Sequence, residues 1–268
     1  MHYIYFETID STNNEAKRMV NSGKVEEDTC ISATVQTQGR GRQGKSFFSP
    51  DSGLYMTVVF PVDCPISTQV TMTTRTACAV SESIETCTGI VNGIKWVNDI
   101  FVRGKKCCGI LCEAVNDYET GRMRYLIAGI GINIYTKEWP KELRGIAGSL
   151  YEENPVRKSD FFMCLKKEMT IKIAENLKKW LFETEKSEFL EYYKAHSIVL
   201  GKKIIFTGKD GIKEAYAEDI DESGGLIVRL CGKDDIANNI GENAGSKTEP
   251  GEIEVLSSGE ISLCFAEK

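Results

Sequence analysis

Residues 39 to 50 read Gly-Arg-Gly-Arg-Gln-Gly-Lys-Ser-Phe-Phe-Ser-Pro. No other stretch constrains the chain as much. Three glycines and three cations fall between Gly39 and Ser46, in a chain whose formal charge is −6. Glycine lets the main chain approach a ligand closely and adopt positive φ. Arginine supplies a planar fork of donors that matches phosphate or carboxylate. A loop of this kind is suited to hold an anion against the backbone. The run also spells G-x-x-x-x-G-K-S, a phosphate-loop pattern that needs a strand before it and a helix after it. A strand precedes it, but Pro50 and Gly53 oppose a helix opening at Lys45. No later segment offers a clear apolar strand ending in a magnesium-binding aspartate, so the phosphate-loop reading is set aside. A merely flexible, solvated loop would leave the alternation of arginine with glycine unexplained.

The length of 268 residues suggests two units, one with a sizeable core and one smaller. The acidic balance gives no global basic field for nucleic acid. The first 30 residues hold no apolar run flanked by cations, so no secretory signal is expected. No window approaches ~18 consecutive apolar residues, so no membrane-spanning helix is expected either. A cytoplasmic protein fits. The ten cysteines are irregularly spaced without a C-x-x-C, and only His2 and His196 could join them around zinc. They read as reduced, small apolar residues.

Taken in order, residues 3 to 7 form a short strand. Thr12 and Glu15 then match the capping box of a helix running to about Val20. That helix start is a structural role for Ser11 and Thr12, and it would equally offer hydroxyls and N–H groups to a polar ligand. Residues 29 to 36 are β-branched and feed the loop as a strand. Leu54 to Phe60 is a strand ended by Pro61 and Pro65, and Ile66 to Thr88 has helical spacing. Gly93 to Ile100 is a strand breaking into a polar corner. Residues 106 to 115 and 123 to 134 pair across a loop at Asn116 to Arg122. A helix capped by Ser159 buries Phe162, Leu165, Met169, Ile173 and Leu177, and a further helix spans Leu181 to Tyr193. Short strands follow at Lys202 to Phe206, Glu214 to Asp219, Leu226 to Leu230 and Gly259 to Cys264. Turns at Lys209-Asp210-Gly211 and Ser223-Gly224-Gly225 separate the first three, and 232 to 251 is a polar loop. The expected organisation is a unit over 1–197 and a small β domain over 198–268.

Several motifs now fall into one order. Gln36-Thr37-Gln38-Gly39-Arg40-Gly41-Arg42-Gln43-Gly44-Lys45 resembles the Q-x-x-G-R-G-R-x-G-R loop of biotin protein ligases. Ser11-Thr12-Asn13 resembles their S-T-N/Q segment, and Lys95-Trp96-Val97-Asn98-Asp99-Ile100 their K-W-P-N-D-[IL]. Lys106 through Glu113 resembles K-[LV]-[AGC]-G-I-L-x-E, and Gly129 to Asn133 resembles G-[IA]-G-[IL]-N. Pro140 to Leu150 is similar to the family's adenylate-side segment. Ser258 to Leu263 resembles the G-E-[IV]-S-[LV] of its C-terminal domain. Together these cover nearly the whole chain and are far more specific than any one alone.

The resemblance implies an α+β fold: a mixed β-sheet catalytic domain with flanking helices, like class II synthetases, plus a small C-terminal SH3-like β-barrel. It implies a two-step ligase using ATP, biotin and Mg2+. Biotin carboxylate attacks the α-phosphate, and a lysine of a biotin carboxyl carrier protein domain, part of a biotin-dependent carboxylase, then takes the biotin from biotinyl-5′-AMP. By the same resemblance Arg40, Lys106 and Asp99 are catalytic. Ser11, Thr12, Asn13, Gln36, Gly39, Gly41, Arg42 and Gly109 join Arg40 and Lys106 around biotin. Arg42, Lys95, Asn98, Asp99 and Asn133 meet ATP, with Asp99 the magnesium carboxylate. Read from its residues alone, Asn98-Asp99 could also be a plain turn, Lys106 a strand-edge lysine, Lys105 a solvated charge and Trp96 a core residue.

Three positions depart from the family pattern. Val97 stands for proline, Lys45 for arginine, and Phe47 where tryptophan is common; none removes a group the reaction requires. Too few residues precede Tyr3 for the helix-turn-helix of repressor-type members, so no DNA binding is expected; a homodimer is left open. A lipoate or octanoate ligase of related fold would lack the G-R-G-R-x-G loop. A biotin sensor without activity would not need Arg40, Arg42 and Lys106.

Overall fold

The computed structural model describes residues 1–153, 159–208, 211–231, 251–257, 259 and 261–263. Residues 209–210, most of the 232–251 loop, Ser258, Glu260, Cys264 and the side chain of Ser159 lie outside the described residues. The large sheet has seven strands. In chain order these are β1 (His2–Ile9), β2 (Thr29–Gln36), β3 (Gly53–Pro65), β4 (Gly93–Lys95), β5 (Asp99–Val102), β6 (Lys105–Asp117) and β7 (Arg122–Asn133). Their spatial order is β1-β2-β3-β7-β6-β5-β4. Only β1 and β2 run parallel, so the sheet is mixed. β7 sits at its centre, with eight consecutive buried residues from Leu126 to Asn133, as a strand covered on both faces requires.

Helix α1 (Thr12–Asn21) packs Ala16, Met19 and Val20 with Ile31, Val59 and Ile127 in a small apolar cluster. On the larger cluster's side lie α2 (Gln69–Thr88), α3 (Ser159–Lys178) and α4 (Lys186–His196). Five further strands, β8 (Lys203–Gly208), β9 (Gly211–Ile220), β10 (Leu226–Leu230), β11 (Ile253–Leu256) and β12 (Ile261–Leu263), build an antiparallel sheet in the order β11-β10-β9-β8-β12. This is the expected small C-terminal β unit. Its apolar residues Ile204, Phe206, Ala215 and Leu226 join the same core as Trp96 and Tyr193. The indole of Trp96 is buried and donates to the Gly224 carbonyl at 2.9 Å, tying the two sheets together. We propose the unit boundary at 197/198, between the end of α4 and the start of β8. No described helix is long and apolar enough to cross a membrane.

The elements depart from expectation in four places. Strand β3 continues through Pro61 to Pro65, because β2 pairs with it only as far as Val59 and the stretch beyond is a sheet edge on that side, where a missing N–H is tolerated. Leu181 and Phe182 belong to a wide turn at Lys179–Glu183, and α4 opens only at Lys186. The capping box at Thr12 and Glu15 does not form. Ser11 is the cap residue without a side-chain capping bond, Thr12 is already helical, and Glu15 pairs with Arg18 at 2.7 Å. Strand β11 carries no signal strong enough to lift it out of the polar run before it. The Trp96–Val97 peptide, at the position where the family pattern has proline, is cis.

All cysteines of the described residues are free thiols. Burial pushes Cys30 and Cys107 up to about 12, and Cys78 and Cys108 well above the usual thiol range. Only the thiolate reacts with alkylating agents, so burial and a raised pKa both protect these four thiols, whereas Cys164 is exposed to reagent. Iodoacetamide at about pH 8 is expected to label Cys164 first and spare Cys30, Cys78, Cys107 and Cys108 until the protein unfolds. Mass spectrometry showing equal labelling of the native protein would contradict this packing.

Candidate active site

The site begins as an absence of side chains. The register of β6 and β7 places Gly109 across from Gly131, and Gly129 across from Leu111. A Cβ at Gly131 would come within 2.6 Å of the Phe47 ring, and one at Gly109 within 3.0 Å. One at Gly129 would overlap the Asn13 amide. The bare backbone of two strands is therefore a floor on which an aromatic ring and an amide already lie. A cavity of about 370 Å³ opens over it.

The loop from β2 crosses this floor. Gly39 sits behind it, where a side chain would collide with the Phe47 carbonyl and the Ser49 hydroxyl, so its role in the structure is to let the returning strand pass. Gly41 N–H donates to the Lys45 carbonyl at 2.7 Å and Phe47 N–H to the Gly39 carbonyl at 2.8 Å, which folds the loop on itself. Positive φ falls on Gln43 and Gly44 within a single 3₁₀ turn, and Lys45 leaves it extended. No helix opens there, in agreement with setting the phosphate-loop reading aside.

The two arginines point to opposite ends. Arg40 Nη1 reaches Glu113 Oε2 at 3.2 Å and Asn14 Oδ1 at 3.3 Å. Arg42 Nη1 reaches Asn98 Oδ1 and the Gly259 carbonyl of the C-terminal unit, each at 3.2 Å. Between them, Lys106 Nζ lies 2.6 Å from Asp99 Oδ1, an ion pair whose angle does not make an aligned hydrogen bond. Lys95 also lines the cavity, its ammonium 5.7 Å from the Phe101 ring centre. Five cations (Arg40, Arg42, Lys45, Lys95, Lys106) and one carboxylate (Asp99) thus line the cavity among the described residues. In a chain of net charge −6 this local excess of positive charge points to an anionic occupant.

At the α1 end the polar groups are mostly committed to one another. Thr57 Oγ1 donates its one proton to Asn13 Oδ1 at 2.6 Å and lies 2.8 Å from Thr12 Oγ1, as the hub of a buried network. Thr12 N–H and Oγ1 both donate to Gln36 Oε1, and Gln36 Nε2 donates to Ser49. Asn13 Nδ2 serves the Leu111 carbonyl and Glu113. Ser11, buried on the cavity wall, makes no capping bond and keeps its hydroxyl for something else. At the other end, Asn98 donates to the Ile110 carbonyl and Asn133 to the Gly148 carbonyl, so each amide also ties down a neighbouring segment. That segment contributes Trp139, Leu143 and Ile146 as an apolar rim, with Ile146 62% exposed.

Of the residues singled out from sequence, all but Gly39 line this one cavity. Sequence reasoning missed Thr57, whose signal is a lone hydroxyl within the apolar run Tyr55 to Phe60. Glu113 was quoted in a motif without a role. Lys17 had no signal beyond sharing a face of α1 with Asn13.

A mixed sheet with a glycine floor, an arginine loop across it and a small β unit at one end matches a known class. The family model for the biotin/lipoate A/B protein ligase family matches residues 5–133. The model for the biotin protein ligase C terminal domain matches residues 199–264, and the chain belongs to the biotin protein ligase family. It is 39% identical over 152 residues to the bifunctional ligase/repressor BirA of Bacillus spizizenii, an alignment covering 56% of this chain and 46% of that one. The chain thus spans about half the length of that relative. It is 24% identical to the biotin–[acetyl-CoA-carboxylase] ligase of Mycobacterium tuberculosis, over 83% and 81% of the two chains. Among solved structures, the biotin protein ligase of Aquifex aeolicus in complex with biotin and ATP superposes with a TM-score of 0.71 at 27% identity, covering 99% of both chains.

Replacing Thr57 by valine strips the network of its hub, leaves the Asn13 amide oxygen without its donor and leaves Thr12 Oγ1 with Gln36 alone. A loss of about 1–3 kcal/mol is expected in urea unfolding, with Thr57→Ser milder. Equal stability of Thr57→Val and wild type would mean the network is not load-sharing.

Proposed function

We propose that the chain is an ATP-dependent biotin protein ligase that forms biotinyl-5′-AMP and passes biotin to a lysine of a biotin carboxyl carrier protein domain. The observation that carries this reading is the convergence of Arg40, Arg42 and Lys106 on one glycine-floored cavity. In the first step a biotin carboxylate oxygen forms a bond to the α-phosphorus, and the bond to the bridging oxygen breaks, releasing pyrophosphate. In the second, a neutral lysine amine attacks the acyl carbon, the bond from that carbon to the phosphate-linked oxygen breaks, AMP departs with this oxygen that the biotin carboxylate supplied, and the nitrogen sheds a proton. Both steps crowd negative charge, so prearranged cations are the main catalytic resource.

In this reading Lys106 neutralises the carboxylate–phosphate junction, leaving Asp99 when the anion arrives. Arg40 and Arg42 hold the two anions from opposite sides. Ser11 supplies a hydroxyl for the ureido ring, and the Phe47 ring, seated on Gly109 and Gly131, offers an apolar wall to the bicyclic body. The apolar rim of Trp139, Leu143 and Ile146 suits a flat base. Asp99 fits a magnesium ion as a single carboxylate: its Oδ1 is buried without an aligned donor, and magnesium commonly takes one or two carboxylates beside phosphate oxygens. No group of three or more ligating side chains exists among the described residues, so phosphates would complete the shell. The ion would offset phosphate charge.

Isotope exchange between ATP and pyrophosphate is expected to depend on biotin and not on lipoate or octanoate. Exchange with lipoate alone would install the related ligase reading instead. Lys106→Ala is expected to lower biotin transfer about 100- to 1000-fold. An unchanged rate would remove Lys106 from the reacting centre.

A further inference from the structure

Outside the reacting centre, the best-connected group facing the loop is Glu113. Its Oε1 accepts from Lys17 Nζ at 2.7 Å, and its Oε2 accepts from Asn13 Nδ2 at 3.1 Å and from Arg40 Nη1 at 3.2 Å. The carboxylate is fixed from both sides, by α1 through Lys17 and Asn13 and by its own strand β6. Only its contact with Arg40 reaches the loop. Arg40 in turn presents Nη1 alone to Glu113 and Asn14. A guanidinium has five N–H donors, so the Nε and Nη2 donors remain for an anion while Nη1 stays on the carboxylate. A competitor for the substrate carboxylate would occupy the whole fork. Glu113 occupies one corner.

We infer that Glu113 is a positioning residue, an anchor on β6 that latches the arginine loop through Arg40 and aims its free donors into the cavity. Lys17 holds the anchor in place through its 2.7 Å bond to Oε1, so it acts one step further out. The loop is held at its other end by Arg42 on Asn98 and Gly259. These two sets of contacts tie the loop to both sides of the floor. The latch is read from geometry alone; its consequence for holding an acyl adenylate rests on the ligase reading.

An isolated exposed ion pair holds little, but Arg40 is only 38% exposed and Glu113 19%, and the carboxylate is shared by three donors. An effect of about 5- to 10-fold is therefore expected from breaking it. Trypsin cleavage after Lys45 in the ligand-free protein reads the latch directly. Glu113→Ala and Arg40→Ala should each speed it by that factor, and the double variant should be no faster than either. Glu113→Gln, which keeps an acceptor for Asn13 and Arg40, should recover part of the protection and serves as the folded control should Glu113→Ala prove unstable. Unchanged cleavage in both Glu113 variants, or additive effects in the double variant, would overturn the latch. In the ligase assay, release of biotinyl-5′-AMP from Glu113→Gln should quicken while biotin-dependent pyrophosphate exchange persists. Normal retention there would also count against it. If the wild type shows no biotin-dependent exchange but cleavage follows the pattern above, the latch stands and the ligase reading falls.

Discussion

Strands β6 and β7 pair over nearly their full length, and their register sets Gly109 across from Gly131. The cavity depends on that coincidence. Any side chain at either position would fill the space that the Phe47 ring now occupies. Because the floor is backbone, a flat ring can lie within van der Waals distance of it and gain contact over its whole face. The loop has to travel far to deliver that ring, out from β2, across the floor and back into β3. Gly39 lets its two limbs cross, and Gln43 with Gly44 reverses it in one turn.

Charge then decides what the floor is for. The cations on the loop come from a segment with few apolar contacts of its own, and they would repel one another if left together. The structure separates them. Arg40 goes to the α1 side, Arg42 to the C-terminal unit, and Lys106 stays on β6 with Asp99. Each is held by neutral oxygens or by a carboxylate that leaves donors unspent. An arriving carboxylate and phosphate would therefore meet cations already arranged around them, and little reorganisation would remain to be done at the moment of reaction. The C-terminal sheet takes part in this arrangement through Gly259 and through the Trp96 bond to Gly224, which makes it a wall of the site as well as a separate unit.

Much of this was legible in the chain. The central strands, the long helices and the small β unit follow from apolar spacing, which survives because burial enforces it. The residues around the cavity were legible as motifs, but their division of labour was not. Gly39 looks like a ligand contact, and in the structure its missing side chain makes room for the loop's two limbs to cross. Thr12 spells a cap and instead feeds a buried network, because Thr57 on β3, 45 residues away, is a better partner than its own helix end. Pairings such as Glu113 with Arg40 depend on strand register and helix docking, which no local window encodes. Nor does valine after tryptophan announce a cis bond, since that geometry is signalled almost only by proline.

On the proposed ligase function, the 39–48 loop is a lid whose two arginines close around a biotin–ATP pair and the mixed anhydride it would form. Amide hydrogen exchange of this segment, followed by mass spectrometry with and without biotin plus ATP, measures that closure directly. Intermediate exchange is expected in the free protein, where a few backbone bonds and the two arginine contacts hold the loop, and strong slowing when both substrates are present together. Exchange in residues 39–48 that stays the same after saturation with biotin and ATP would contradict it.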